Sequence, residues 1–291
     1  VFAQKKDKNS TGTKDTVKPV TPIPPPPQAK GPKKFSDVIT DKAITKKGLF
    51  NVHKVEEKYY FEIPDSLLKK ELLAITRYSK TPGGGGVYGG ELTNQQTIAF
   101  EKGPKDNLFM RVITSISVAD STSQIYKAVT NSNVNPIAAS FDIKALSKDS
   151  SGFVIDVTDF FNSDNQVVSI DPSEKRFYNL MNMANDRSYV QSINTYPINI
   201  EIRTVKTYYS QPPSGFGSPI PSVPLPAAYA AGAVTFEMNT SIIALPEKPM
   251  KKRLYDPRVG FFADAFTVYS DDQQKVEDDV FVVRWRLEPK N

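Results

Sequence analysis

Short runs of alternating apolar and polar residues, bounded by Gly, Pro, Asn or Asp, recur along most of the chain beyond residue 34. Alternation with period two puts successive side chains on opposite faces of a strand, so the pattern predicts β-structure. "LFNVHKV" and "KYYFEIP" flank the polar "EEK" and predict a hairpin. "DSLLKKELLAITRYS" predicts a helical turn begun by Asp65 and then a strand. "TIAFEKGPKDNLFMRVITSISV" predicts a second hairpin, turning at Gly103, Pro104, Asp106 and Asn107. "NVNPIAASFDIKAL" and "GFVIDVTDFF" predict two more strands, and "SYVQSINTYPINIEIRTVKTYYS" predicts two strands bent at Pro197. "AVTFEMNTSIIALP" should pair with "IEIRTVKTYY" across a long Pro/Gly/Ser loop, and "DVFVVRWRLEP" is a last strand carrying the only tryptophan, Trp285. Helical signals are few: an opening at Phe35 capped by Ser36 or Asp37, and the polar start of "DPSEKRF". About ten strands with few helices predict a mainly β fold (β-rich α+β), with packed antiparallel sheets and a few short helices.

The pattern is missing from residues 1–34, which are rich in Lys, Thr and Pro and contain a polyproline run, Pro24 to Pro27. Such a composition buries too little apolar surface to offset its ordering entropy, so this stretch reads as a disordered leader. Residues 35–82 read as a small N-terminal domain or subdomain, and residues 83–291 as a larger β-rich domain. Val1 and Ala3 have the small-apolar spacing that signal peptidase accepts, which makes the first residues a signal-peptide remnant and predicts export to the periplasm, outer membrane or exterior. Gln4, not Cys, follows that site, so no lipid anchor is expected there. No apolar run is long enough to span a bilayer as a helix. The net charge of +5 reflects the leader's lysines, a solvated tail.

Composition removes several chemistries. With no cysteine there is no disulfide, thiolate-zinc site or cysteine nucleophile. The single histidine, His53, cannot supply a catalytic zinc site and reads as a residue on an exposed strand face. Asp156 and Asp159 are the best carboxylate pair for acid–base work, but Asp159 reads more simply as the cap of "TDFFN". The glycines of "TPGGGGVYGGE" lack the Lys-Ser/Thr of a phosphate loop and predict a mobile hairpin loop. Along "EIRTVKTYY", Arg203 and Tyr209 share one face while Lys206 and Tyr208 share the other; that splits the basic-aromatic patch needed for nucleic acid, so no nucleic-acid partner is expected. By its residues alone the chain has no catalytic, cofactor or metal site, and a binding or structural role remains. One such role is a secreted carbohydrate- or surface-binding β module, with Tyr208 and Tyr209 as its aromatic platform.

"LPEKPMKKRLYDPRVGFF", from Leu245 to Phe262, cannot be a continuous helix because Pro246, Pro249 and Pro257 interrupt it. Together with "FSDVITDKAITKKGLFNVHKVEEKYYFEIPDSLL", "SNVNPIAASFDI", "VIDVTDFF", "YPINIEIRTVKTY" and "VVRWRLEPKN", it resembles the N-terminal region of the secreted zinc-dependent metalloproteases of Bacteroidetes. In that metzincin-like family, two domains of unknown function precede the catalytic domain. The resemblance implies a non-catalytic accessory or pro-region that assists folding, restrains the active site or positions a protein or glycan substrate. It places the zinc and its H-E-x-x-H helix in a downstream protease domain, the implied partner, since no residue here matches that motif. A thiolate switch of the kind many pro-domains use is ruled out by the lack of cysteine. The resemblance offers "KKRLYDPRVGFF" as a crossing segment, with Arg253, Asp256 and Arg258 as a charged network and Tyr255, Phe261 and Phe262 packing at the interdomain interface; the alternative is a purely internal salt-bridged loop.

Overall fold

The computed structural model describes residues 31–114, 117–211, 225–285 and 287. The cleavage pattern at Val1 and Ala3, the polyproline run, most of the Pro/Gly/Ser loop after Tyr209 and the final residues lie outside them. In chain order the strands are β1 (Ile44–Lys46), β2 (Asn51–Val55), β3 (Lys58–Pro64), β4 (Leu72–Lys80), β5 (Leu92–Lys102), β6 (Asn107–Val112), β7 (Ser117–Ala119), β8 (Ile137–Leu146), β9 (Gly152–Asp156), β10 (Leu180–Met183), β11 (Tyr189–Thr195), β12 (Asn199–Ser210), β13 (Ala233–Ala244), β14 (Ala263–Tyr269) and β15 (Glu277–Val282). The helices are short: α1 (Phe35–Val38), α2 (Ile125–Ser132), α3 (Thr158–Asn162), α4 (Pro172–Phe177) and α5 (Pro226–Ala231). The fold is mainly β, antiparallel, with a few short helices.

Twelve strands form one sheet in the order β1-β2-β3-β9-β8-β6-β5-β4-β13-β12-β10, with β11 also on β12. The hairpins read from the alternation are present: β2 with β3, β5 with β6, and β11 with β12 across the Pro197 bend. β12 and β13 pair in an unbroken register from Asn199↔Ile243 to Tyr209↔Ala233. The non-local pairs join them: β3 to β9, and β4 between β5 and β13. One sheet therefore contains strands from before and after the glycine-rich stretch at Gly83.

The sheet coils until its ends meet. The Leu49 N–H donates to the Tyr196 carbonyl at 2.7 Å, Thr195 Oγ1 donates to the Phe50 carbonyl at 3.0 Å, and Lys46 Nζ donates to Asn194 Oδ1 at 2.7 Å. The enclosed core draws Phe50, Phe61, Phe100, Phe141, Ile200 and Ile242, among others, from strands around the whole circuit. Phe161 of α3 packs against Phe61, with ring centroids 5.7 Å apart. A smaller cluster, Ile39, Ala145 and Val154 with Phe35 and Val38, lies on the outer face under α1. Strands β15, β14 and β7 form a separate three-stranded sheet, β14 parallel to β7.

Several local expectations change. The N-cap of α1 is Lys34 without a side-chain bond, so neither Ser36 nor Asp37 caps it. Asp171 does cap α4, accepting from the Ser173 N–H at 2.8 Å. β15 ends at Val282, before Trp285. The glycine loop is pinned: Gly84 has φ +85°, where a Cβ would lie 2.8 Å from the Pro226 ring, and the Tyr178 hydroxyl donates to the Gly85 carbonyl at 3.3 Å.

At the closure, a Cβ on Gly48 would sit 2.7 Å from the backbone N and O of Tyr196. Gly48→Ala should therefore cost about 1–3 kcal/mol by overpacking two backbones that cannot both yield. A urea-melt midpoint unchanged from wild type would show that the two ends are not held this closely.

Candidate functional site

Three places gather chemistry. The first is the strap marked out by the sequence. It lies along the edge of the three-stranded sheet: the Tyr255 N–H donates to the Val280 carbonyl, the Val282 N–H to Arg253, and the Val283 N–H to Phe262, at 2.9, 2.9 and 2.8 Å. The interrupting prolines thus coexist with an ordered, extended segment. Asp256 and Arg258 form a bidentate pair, with Arg258 Nε 2.9 Å from Oδ1 and Nη2 2.6 Å from Oδ2. Each holds the other charged, Asp256 below the carboxylate range and Arg258 above its usual value. Arg253 is not joined to this pair; its guanidinium stacks over Phe261 at 5.8 Å. Lys252, which the sequence did not single out, stands 4.5 Å over the Phe281 ring. Tyr255 and Phe261 are partly exposed, and Phe262 is 88% exposed.

The second place is a polar network under the loop between α3 and α4, which sequence reading missed. Lys206 is 1% exposed, and its ammonium donates to the Ser163 carbonyl at 2.7 Å and to Ser169 Oγ at 2.6 Å. Burial pushes its amine down to about 7, against the opposing pull of Asp164. Tyr208, on the same face, is wholly buried and donates to Asp164 Oδ1 at 3.0 Å, which Lys175 also reaches at 2.6 Å. Tyr78 and Thr93 both donate to Glu174 Oε2 at 2.6 Å. Burial first, and then the neighbouring carboxylates, push the Tyr78 and Tyr208 hydroxyls far above their ordinary values. Every partner is internal, so the network fastens the loop and α4 across the sheet. Tyr208 is removed from any aromatic platform; Tyr209 remains half-exposed, with Arg187 stacked on its ring at 5.7 Å.

The third place is a cleft beneath α1, and it contains the only histidine. His53 is 3% exposed, not on an exposed face as its strand position suggested. Phe35 of α1 covers it edge-on at 5.9 Å. Its Nδ1 lies 2.8 Å from Thr45 Oγ1 and its Nε2 3.1 Å from Glu62 Oε2, which also accepts from Asn51 at 2.8 Å. Burial alone would raise Glu62, but hydrogen bonds from Asn51, Ser147 and His53 outweigh it and keep the carboxylate ionised. A carboxylate only accepts, so Nε2 carries the proton and Nδ1 accepts from Thr45. Burial lowers the pKa of His53 more than Glu62 raises it, leaving the ring neutral at physiological pH. The cleft encloses about 490 Å³.

The other sequence candidates are structural. Asp156 accepts from the Thr158 N–H at 3.1 Å and Oγ1 at 2.7 Å, and from Lys58 at 3.0 Å. Asp159 lies inside the first turn of α3, so Asp156 makes the capping contacts. With both His53 nitrogens engaged, the ring is not free to ligate, and among the described residues no three His, Cys, Asp or Glu are grouped to hold a metal ion. No described helix is long and apolar enough to cross a membrane.

A family model described as "Domain of unknown function (DUF5117)" matches residues 90–290. The chain belongs to the DUF5117 family. A second model, "Domain of unknown function (DUF5118)", matches residues 32–81. Comparison with curated proteins and with solved structures returned no match. The DUF5117 match covers the strap and the polar network apart from Tyr78, whereas His53, Glu62 and Tyr78 fall within the DUF5118 match.

Two pH dependences follow for this DUF5117 chain. His53 has a folded pKa below 6.5, so the unfolded chain takes up its proton first and stability falls as pH drops through that range. Its ring resonances, the only histidine signals, should titrate below 6.5; a midpoint above 6.5 would contradict the burial. Lys206 has a folded pKa of about 7 against an ordinary 10.5, so its burial penalty is full below 7 and is relieved as pH rises toward 10.5. Wild type should therefore gain stability between pH 7 and 9 relative to Lys206→Met, by at most about 1.4 kcal/mol per pH unit. Parallel pH profiles of the two melts would refute it.

Proposed function

We propose that this chain is the non-catalytic accessory region of a secreted zinc-dependent metalloprotease. On this reading the three-stranded sheet and its strap pack against the protease domain that carries the zinc, and assist its folding, restrain it or help position its substrate. The supporting observation is uncovered apolar surface in one strip: Phe262 and Trp285 are 88% and 87% exposed, and Leu254, bridged to Phe281, is 68% exposed. Burial of such side chains is worth roughly 1.5–3 kcal/mol each, and large exposed apolar patches mark interaction surfaces. The Asp256–Arg258 pair and the Arg253–Phe261 stack suit the polar rim of such a surface. The resemblance described above supplies the partner.

The test compares this chain alone with the longer enzyme. Phe262→Ser and Arg258→Ala should leave the isolated chain's melting midpoint unchanged. In the longer enzyme they should speed proteolysis at the domain junction and lower peptidase activity. Equal destabilisation of both proteins by Arg258→Ala would sink the interface, and zinc with peptidase activity in the isolated chain would sink the accessory role altogether.

A further inference from the structure

Beside the cleft under α1 lies a second, smaller lobe, and the two share Asn51, Glu62 and Asp149 in their linings. The larger lobe adds Asp41, Lys47 and Lys148 around the apolar Phe35, Ile39 and Ala43. The smaller lobe, about 150 Å³, is lined by Leu49, Pro64, Ser147 and Ser151 beside the two carboxylates, with no cationic side chain. Both carboxylates are fixed in place. Glu62 is tied to Asn51 and His53, and Asp149 Oδ1 accepts from the Ser151 N–H at 3.1 Å and Oγ at 2.7 Å.

We propose that this groove binds the basic side chain of a peptide, lysine or arginine, with its cationic head in the smaller lobe between Glu62 and Asp149. Three features select that ligand. Two ionised, pre-oriented carboxylates with hydroxyl and amide neighbours complement a cation, and charge-assisted hydrogen bonds are the strong ones. The smaller lobe has room for an ammonium or guanidinium with a little water, but not for a whole folded partner. Leu49, Pro64 and the apolar side of the larger lobe can cover the methylene stem, while Asp41 and Lys47 stand beside the peptide backbone. A sugar fits less well, because the Phe35 ring that would stack on it is already engaged by His53 at its edge and by Lys148 at 5.5 Å. The inference does not rest on the metalloprotease reading.

Because His53 touches Glu62 and is the only histidine, its ring resonances report on this one site. The chain is titrated with acetyl-Gly-Lys-Gly-amide, its arginine and norleucine counterparts, and calcium chloride. The lysine and arginine peptides should give saturable His53 shifts and the norleucine peptide none. Asp149→Asn, an exposed change that leaves the fold intact, should weaken binding about tenfold, one lost charge-assisted contact. Equal shifts from norleucine, or no saturation with either basic peptide at millimolar concentration, would overturn the proposal. So would a calcium response that alone reproduces the lysine shift, since the lobe would then be a metal-cation site.

Discussion

An apolar sheet face has to be covered, and the described residues hold no helical layer to cover it. The longest described helix, α2, belongs with the small sheet, and the others span a turn or so. The remaining solution is for the sheet to cover itself, coiling until β2 and β11 meet and enclosing a main core, with a second cluster around Tyr78, Tyr208 and Phe236 beside it. The rest of the structure follows from this closure. It forces the backbones near Gly48 and Tyr196 together, leaving no room for a Cβ. It also leaves an end to be plugged, and the segment from α3 to α4 closes over it. Its carbonyls, hydroxyl and carboxylates need partners, which Lys206, Asn94, Tyr78 and Tyr208 supply from the strands.

That network explains why a lysine is tolerated at 1% exposure. An ammonium removed from water costs several kcal/mol unless its donors are satisfied. Here a carbonyl and a hydroxyl accept from it and Asp164 stands nearby, so the charge survives burial but is weakened. An apolar residue at 206 would avoid the penalty but leave the Ser163 carbonyl without that donor. The lysine is better understood as a fastening for the plug than as a net gain in stability.

The parts of the fold legible in the sequence are those set by neighbours along the chain. Hairpins such as β2–β3 and β5–β6 need only a period of two and a turn, and both stood out. β12 with β13 was legible despite the long loop, because two long alternating runs have few other partners. Pairings such as β3 with β9 leave no local mark. The failures at single residues share one cause: alternation assigns a side chain to a face but not what covers that face. His53 falls on the outer face, as its position implies, but α1 folds across it. Tyr208 and Lys206 share a face as the alternation implies, and they are buried there by the loop carrying Val167, Val168 and Ile170, whose path across the strands leaves no mark in the alternation. α2, "IYKAVTNS", was not read as a helix because its β-branched and aromatic residues give little helical preference.

The exposed strip at Leu254, Phe262 and Trp285 presents the converse problem. The chain buries aromatic rings efficiently elsewhere: Phe50, Phe61, Phe100 and Phe236 are all at or below 1% exposure. A chain with that capacity gains nothing in stability from a phenylalanine left 88% exposed beside an ordered strap. Nor is the strap loosely held, because three backbone hydrogen bonds and the Lys252 stack on Phe281 fix it to β15 and its extension. A rigid edge that holds apolar side chains outward already carries the ordering cost that docking would otherwise impose. It is therefore suited to pack against a partner with little further loss of entropy.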